Sequence, residues 1–314
     1  MMPDIQKSSR PSYLRGAAIL ASAAILAKII GAIFKIPLGN LLDDNTYGLF
    51  SVAYRVYALL LAISYAGIPT AMSRLVSAAV ERGETRQARR YFKVALPAFA
   101  VVGMVASVLM FVFAPQLASF MEGEDAALAI RVLSPAVFLC CVVSVYEGYS
   151  MGYSDMMPTA VKQIVEVTAK LVFGLGVAWL VLRPIPKQLL ENGKMGRILT
   201  AAQQSTAAAA AISGAVIGLA LALPVLIIYK RRRTDRAIVL RGETAPIGRT
   251  LGTILKVSIP ITLGSAAMSV VSLADTKIVR SALMDGAGLT KEVAGSMFGI
   301  YEKAMTLFTM VPAL

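Results

Sequence analysis

The 314-residue chain is 57% hydrophobic and only 16% charged, with a mean hydropathy of +0.70, no histidine and a formal net charge of +13. Soluble domains carry about a quarter charged residues, so composition excludes a soluble enzyme; disorder is excluded because it needs low hydrophobicity. The basic excess does not mark a nucleic-acid binder either, because too little polar sequence is present to build a charged surface. What remains is an all-α polytopic membrane protein.

A membrane span needs ~20 mostly apolar residues. Eight stretches qualify: 16–38, 47–78, 92–114, 127–150, 159–182, 203–229, 253–280 and 293–314. The first follows Lys7, Arg10 and Arg15, but it is too long for the apolar region of a signal peptide and reads as a retained span. The second carries Gly67-Ile68-Pro69, where proline removes a backbone hydrogen bond, so a kink or break is expected near Gly67. The sixth opens with Ala207–Ala211, good helix formers that permit close helix packing. The eighth stops at Leu314 in apolar sequence. The expectation is therefore an N-terminal fragment of a longer chain.

Lysine and arginine in loops set orientation. Segments 1–15, 81–93 and 230–256 contribute +2, +3 and +6 to the net charge, and all three fall on one side if eight spans alternate. Asp43, Asp44, Glu122, Glu124, Asp125 and Asp285 fall on the other. This predicts a multi-pass protein of the cytoplasmic membrane with a cytoplasmic N-terminus. Segment 183–200 falls on the external side yet holds Arg183, Lys187, Lys194 and Arg197; with Pro184 and Pro186 at its start it reads as an interfacial segment. The only long polar stretch separates six spans from two. It defines a six-helix lobe (1–229), a cytoplasmic basic linker (230–252) and the first two helices of a second lobe (253–314), a common transporter layout.

The residue counts also bear on chemistry. Without histidine the commonest general base and metal ligand are gone. Cys140 and Cys141 are adjacent in an apolar run, a spacing that suits neither a comfortable bridge nor a metal site. No metal site, cofactor or enzymatic activity is expected. Moving a substrate is the better reading.

Ionisable residues inside spans cost ~2.5–3.5 kcal/mol each near a helix centre. Arg74, Arg131 and Arg280 lie toward span ends, where long basic side chains snorkel. Lys162, Glu166 and Lys170 recur at helical spacing with alternating sign, an intrahelical ladder. Asp275 and Glu302 are placed to neutralise Lys277, Arg280 or Lys303. Lys28 and Lys35 share one face of the first helix, within about 20°, and no acid lies between positions 16 and 42. Arg55 also lacks a local acid. A cavity lined by Lys28, Lys35, Arg55 and Lys303 would be cationic and suit a phosphate or pyrophosphate group.

Four segments carry a resemblance. Lys28-Ile-Ile-Gly31-Ala-Ile-Phe34-Lys35-Ile-Pro37 resembles the first-helix signature of bacterial polysaccharide and lipid-linked oligosaccharide flippases, as does Gly48-Leu-Phe through Ser64-Tyr-Ala-Gly67-Ile-Pro69. Glu147-Gly148-Tyr149 to Met157-Pro158-Thr159-Ala160, with Gln163, Glu166 and Lys170, is similar to a second hallmark, and Tyr301-Glu302-Lys303 to the eighth helix. Together they resemble the stage V sporulation protein B and lipid II flippase branch of the MOP superfamily. The resemblance implies two lobes around a central cavity, alternating access, and undecaprenyl-pyrophosphate-linked sugars as the partner besides membrane lipids. It also implies cavity cations at Lys28, Lys35 and Lys303, with lysine where relatives often have arginine. The rival reading is a cation-coupled multidrug exporter of the MATE branch, which would want an acid in the first helix or nearby. A scaffold using segment 230–256 and a membrane-embedded transferase using Glu147 or Asp275 are more distant alternatives.

Overall fold

The computed structural model describes residues 9–64, 67–186, 188–189, 195–196, 199–234 and 241–310. Lys7, Lys187, Lys194, Arg197 and Arg236, used above for orientation, lie outside the described residues. The chain folds as a helical bundle: α1 (Ser9–Leu41), α2 (Asp44–Ser64), α3 (Ile68–Glu81), α4 (Thr85–Val112), α5 (Ala114–Phe120), α6 (Ala127–Gly152), α7 (Met157–Leu182), α8 (Ala201–Tyr229), α9 (Ile247–Ser281) and α10 (Lys291–Met310). Among the described residues six regions are long and apolar enough to cross a membrane: Gly16–Leu41, Thr85–Val112, Glu124–Gly152, Met157–Leu182, Ala201–Arg232 and Ile247–Gly286.

The stretch 47–78 is two helices, broken where Gly67-Ile68-Pro69 predicts. Pro69 sits in the first turn of α3, a position where its missing N–H costs nothing. A Cβ on Gly67 would lie 2.3 Å from the Ser258 carbonyl oxygen of α9. Glycine there caps the start of α3 and admits the later helix beside it. Segment 183–200 carries a short antiparallel pair, Gln188–Leu189 with Met195–Gly196, and α8 then starts with a capping box between Thr200 and Gln203. α9 begins at Ile247, inside the stretch expected to be linker.

Packing is densest between α7 and α8, where the alanine run is fully or nearly buried. A Cβ on Gly218 would meet the Glu166 carbonyl oxygen at 2.6 Å, so this glycine sets how close α8 approaches the charged turn of α7. The main core gathers Phe34, Leu38, Val52, Ala53, Ile130 and Leu133; a second one gathers Ile68, Met72, Val76, Phe92 and Tyr149. Large apolar side chains also cover the outside, among them Val101, Val105 and Val108 on α4 and Ile259, Leu263 and Val271 on α9. An apolar outer belt of this kind suits a lipid environment rather than water.

A charged cleft between α1, α2, α7 and α10

Two cavities open side by side in the bundle. The larger, of about 470 Å³, is lined by Lys28, Lys35, Tyr54, Glu166 and Lys170 among apolar residues of α1. The second, of about 280 Å³, is lined by Lys35, Tyr54, Arg55, Lys170 and Glu302, with Phe34, Tyr47 and Phe50. They share Phe34, Lys35, Tyr54 and Lys170. Together four cations face two carboxylates, a net charge of +2 within an otherwise apolar bundle.

The cations are held differently. Arg55 donates to Glu302 at 2.6 Å and to the Ser272 carbonyl at 3.2 Å, so α2 is tied to both α9 and α10. Lys170 does not continue the expected ladder. It reaches across to α2, donates to the Tyr54 hydroxyl at 3.1 Å, and stands 4.5 Å above that ring and 5.3 Å from the centre of Phe34. Lys35 lies between these groups and makes no ion pair among the described residues. Lys28 lines the outer part of the larger cavity on the exposed side of α1.

Lys303 stands apart from both cavities. Its ammonium pairs with Asp44 at 2.7 Å and donates to the Leu42 carbonyl at 3.2 Å, at the head of α2. Glu302 and Lys303 thus point in different directions from one turn of α10, as neighbours about 100° apart must. Asp275 is exposed on α9. Lys277 covers the ring of Phe120 at 3.8 Å. Arg280 departs from the snorkelling expectation: it is 3% exposed, donates to the Glu122 carbonyl and stacks 5.3 Å from the Phe298 ring centre. Tertiary partners in the 121–124 turn and α10 keep it inside. Arg74 and Arg131 are exposed, as their place near span ends predicts.

Tyr54 is the residue that sequence reading missed. It lines both cavities and carries Lys170. Its aromatic neighbours on α2 form a ladder, Tyr47–Phe50–Tyr54–Tyr57, with ring centres 5.9, 6.0 and 5.8 Å apart. The three- and four-residue spacing of these rings was the available signal.

Such a bundle, with polar groups gathered inside and apolar groups outside, has the fold of MOP-superfamily transporters. A MATE transporter solved in complex with MaD3S superposes with a TM-score of 0.60, at 14% identity over 96% of this chain and 65% of that one. The chain belongs to the polysaccharide biosynthesis protein family, whose model matches residues 13–314. It is 27% identical over 242 residues to the lipid II flippase MurJ of Bacillus subtilis, covering 74% of this chain and 42% of MurJ. It is 24% identical over 164 residues to stage V sporulation protein B of the same organism, covering 52% of this chain and 32% of that one. The chain thus spans about half or less of the length of these curated relatives.

Proposed function

We propose that the full-length protein is a flippase. It carries an undecaprenyl-pyrophosphate-linked oligosaccharide or lipid II-type precursor across the cytoplasmic membrane by alternating access. The carrying observation is the net +2 charge of the joined cavities, with Lys35 and Lys170 free of carboxylate pairing among the described residues. A buried cation attracts a phosphate far more strongly than one in water. The similarity to a lipid II flippase supports the same reading. In this reading the chain moves its substrate without changing it. Residues 1–229 form one lobe, 253–314 begin a second, and the N-terminus faces the cytoplasm.

Lys35, Lys170 and Arg55 then hold the pyrophosphate. Lys28 serves the mouth of the cleft, while Lys303 acts through α2 by fixing Asp44. Lysine supplies a point charge rather than a bidentate fork, so the grip depends on several cations converging. The test is Lys35→Ala with Lys170→Ala in the full-length protein, read by lipid II translocation in vesicles. A charge-assisted hydrogen bond contributes about 1.5–3 kcal/mol, so each loss should weaken capture by about tenfold or more. Unchanged translocation would overturn the cationic-cleft reading. Because the fold is shared with multidrug transporters, the same vesicles should be tested with a cationic dye; export of the dye without precursor movement would favour the exporter.

A further inference from the structure

Beside the cleft lies a third cavity, of about 380 Å³, which shares Glu166 and Val167 with the larger cationic cavity. Its polar wall comes from two helices: Glu147 of α6, and Thr159, Lys162, Gln163 and Glu166 of α7. Lys162 pairs with Glu166 at 2.7 Å and with Glu147 at 3.3 Å, so these side chains are held in place before any ligand arrives. Among the described residues Lys162 is the one cation on this wall, and both carboxylates already engage it. Glu166 also shares the larger cavity with Lys28, Lys35 and Lys170. The third cavity therefore offers neither a spare cation for a phosphate nor a spare carboxylate for an organic cation. What it offers is hydrogen bonding.

We propose that this cavity is the subsite for a neutral sugar of the lipid-linked substrate. Thr159 carries the argument. It is 9% exposed, lines the cavity, and its buried hydroxyl has no hydrogen-bond partner among the described residues. Buried hydroxyls are nearly always satisfied, and one that both donates and accepts matches a ligand whose own hydroxyls do the same. Gln163 adds an amide with both capacities. A carboxylate has about four lone-pair sites, more than one ammonium uses, so Glu166 can also accept from sugar hydroxyls. Because the ion pairs already fix the wall, little ordering is left for binding to supply. The volume of about 380 Å³ falls within the ~300–1,000 Å³ of small-molecule sites.

The position of the cavity meets a covalent demand. In an undecaprenyl-pyrophosphate-linked oligosaccharide the first sugar is bonded directly to the pyrophosphate, so a sugar subsite must adjoin the anion subsite. Glu166 and Val167 form that common border, and Lys170 follows Glu166 by about one helical turn. On the proposed orientation the third cavity lies on the cytoplasmic side of the cleft, because Thr159 stands in the first turn of α7. A head group arriving from the cytoplasm then meets its sugar subsite before its phosphates reach Lys35 and Lys170. The assignment rests on the pyrophosphate reading above.

Two probes separate the subsites in the full-length protein in lipid nanodiscs: farnesyl pyrophosphate, and farnesyl pyrophosphate bearing one N-acetylglucosamine. Thr159→Val removes the hydroxyl at nearly constant shape, and Gln163→Leu removes the amide. Each should weaken binding of the sugar-bearing probe by about two- to tenfold, the worth of one hydrogen bond, and leave farnesyl pyrophosphate binding unchanged. That unchanged binding also shows that the variants fold. Thr159→Ser, which keeps the hydroxyl, should bind the sugar-bearing probe as the wild type does. Full affinity for the sugar-bearing probe in both variants, or an equal loss for both probes, would overturn the sugar subsite and leave the pyrophosphate reading standing. So would a wild type that binds only the sugar-free probe. A wild type that binds neither probe would instead overturn the pyrophosphate reading, and the sugar subsite with it.

Discussion

Arg55 shows how a membrane charge acquires a role. In the sequence it is a cation without a local acid; in the fold it meets Glu302, 247 residues away. Removing one partner of such a pair strands the other, at a cost of about 3 kcal/mol or more when both are buried. Arg55 and Glu302 are mostly covered, at 24% and 11% side-chain exposure. Glu302→Ala is therefore expected to lower thermal stability clearly, whereas Arg55→Met with Glu302→Leu should cost much less. A detergent-solubilised melting series checks this. Tyr54 belongs to the same scale. Tyr54→Phe keeps the ring beneath Lys170 but deletes a hydrogen bond of about 0.5–1.5 kcal/mol. Precursor affinity should change while the melting temperature moves little. A large fall in melting temperature would instead make Tyr54 a structural residue.

At the scale of the element, small residues decide how near the charged turns stand. α8 approaches α7 so closely that a methyl group on Gly218 would press on the Glu166 carbonyl. Gly67 holds the break between α2 and α3 open to α9. Overpacking typically costs about 1–3 kcal/mol because the backbone must shift. Gly218→Ala should therefore destabilise the bundle by that order and disturb Glu166, whereas Gly176→Ala, on α7 with open space around it, should be mild. Melting curves of the two variants side by side measure the contrast. The break itself was legible, since a Gly-Ile-Pro triplet in a long apolar run cannot continue a helix undisturbed. The ladder on α7 was only half legible. Spacing fixed that Lys162, Glu166 and Lys170 share a face, but Lys170 turned to Tyr54 because α2 offers a ring and a hydroxyl there.

For the whole molecule, α2 ties the first helices to the last two through two ion pairs, Arg55 with Glu302 and Asp44 with Lys303. At the neighbouring turns Lys291 meets Glu124, and Arg280 meets Glu122. On the proposed orientation these turns face outward. The basic segments meet at the other end, where the Arg86 amide donates to the Arg241 carbonyl at 3.0 Å. Single cysteines at positions 86 and 124, introduced in turn, test the orientation. Both sites are exposed, while Cys140 and Cys141 are buried and contribute little background. In intact cells a membrane-impermeant thiol reagent should label position 124 and spare position 86. The reverse pattern would invert the topology.

By itself the sequence determined the class and the path of the chain. Composition demanded a membrane, apolar runs marked the helices, and the glycine-proline triplet marked the break, because each is a local consequence of hydrophobicity or backbone sterics. The +13 charge divided largely into three basic segments for the same reason. Only the tertiary structure decided which cations are neutralised. Lys303, sequence-adjacent to Glu302, pairs with Asp44, 259 positions away, while Arg280 is buried against a distant turn. Ion pairing depends on distances of a few ångströms between helices that are remote in sequence. Hydropathy and helical period carry no information about those distances. They were set by how closely α2, α7 and α10 pack, and that packing left Lys35 and Lys170 facing the cleft.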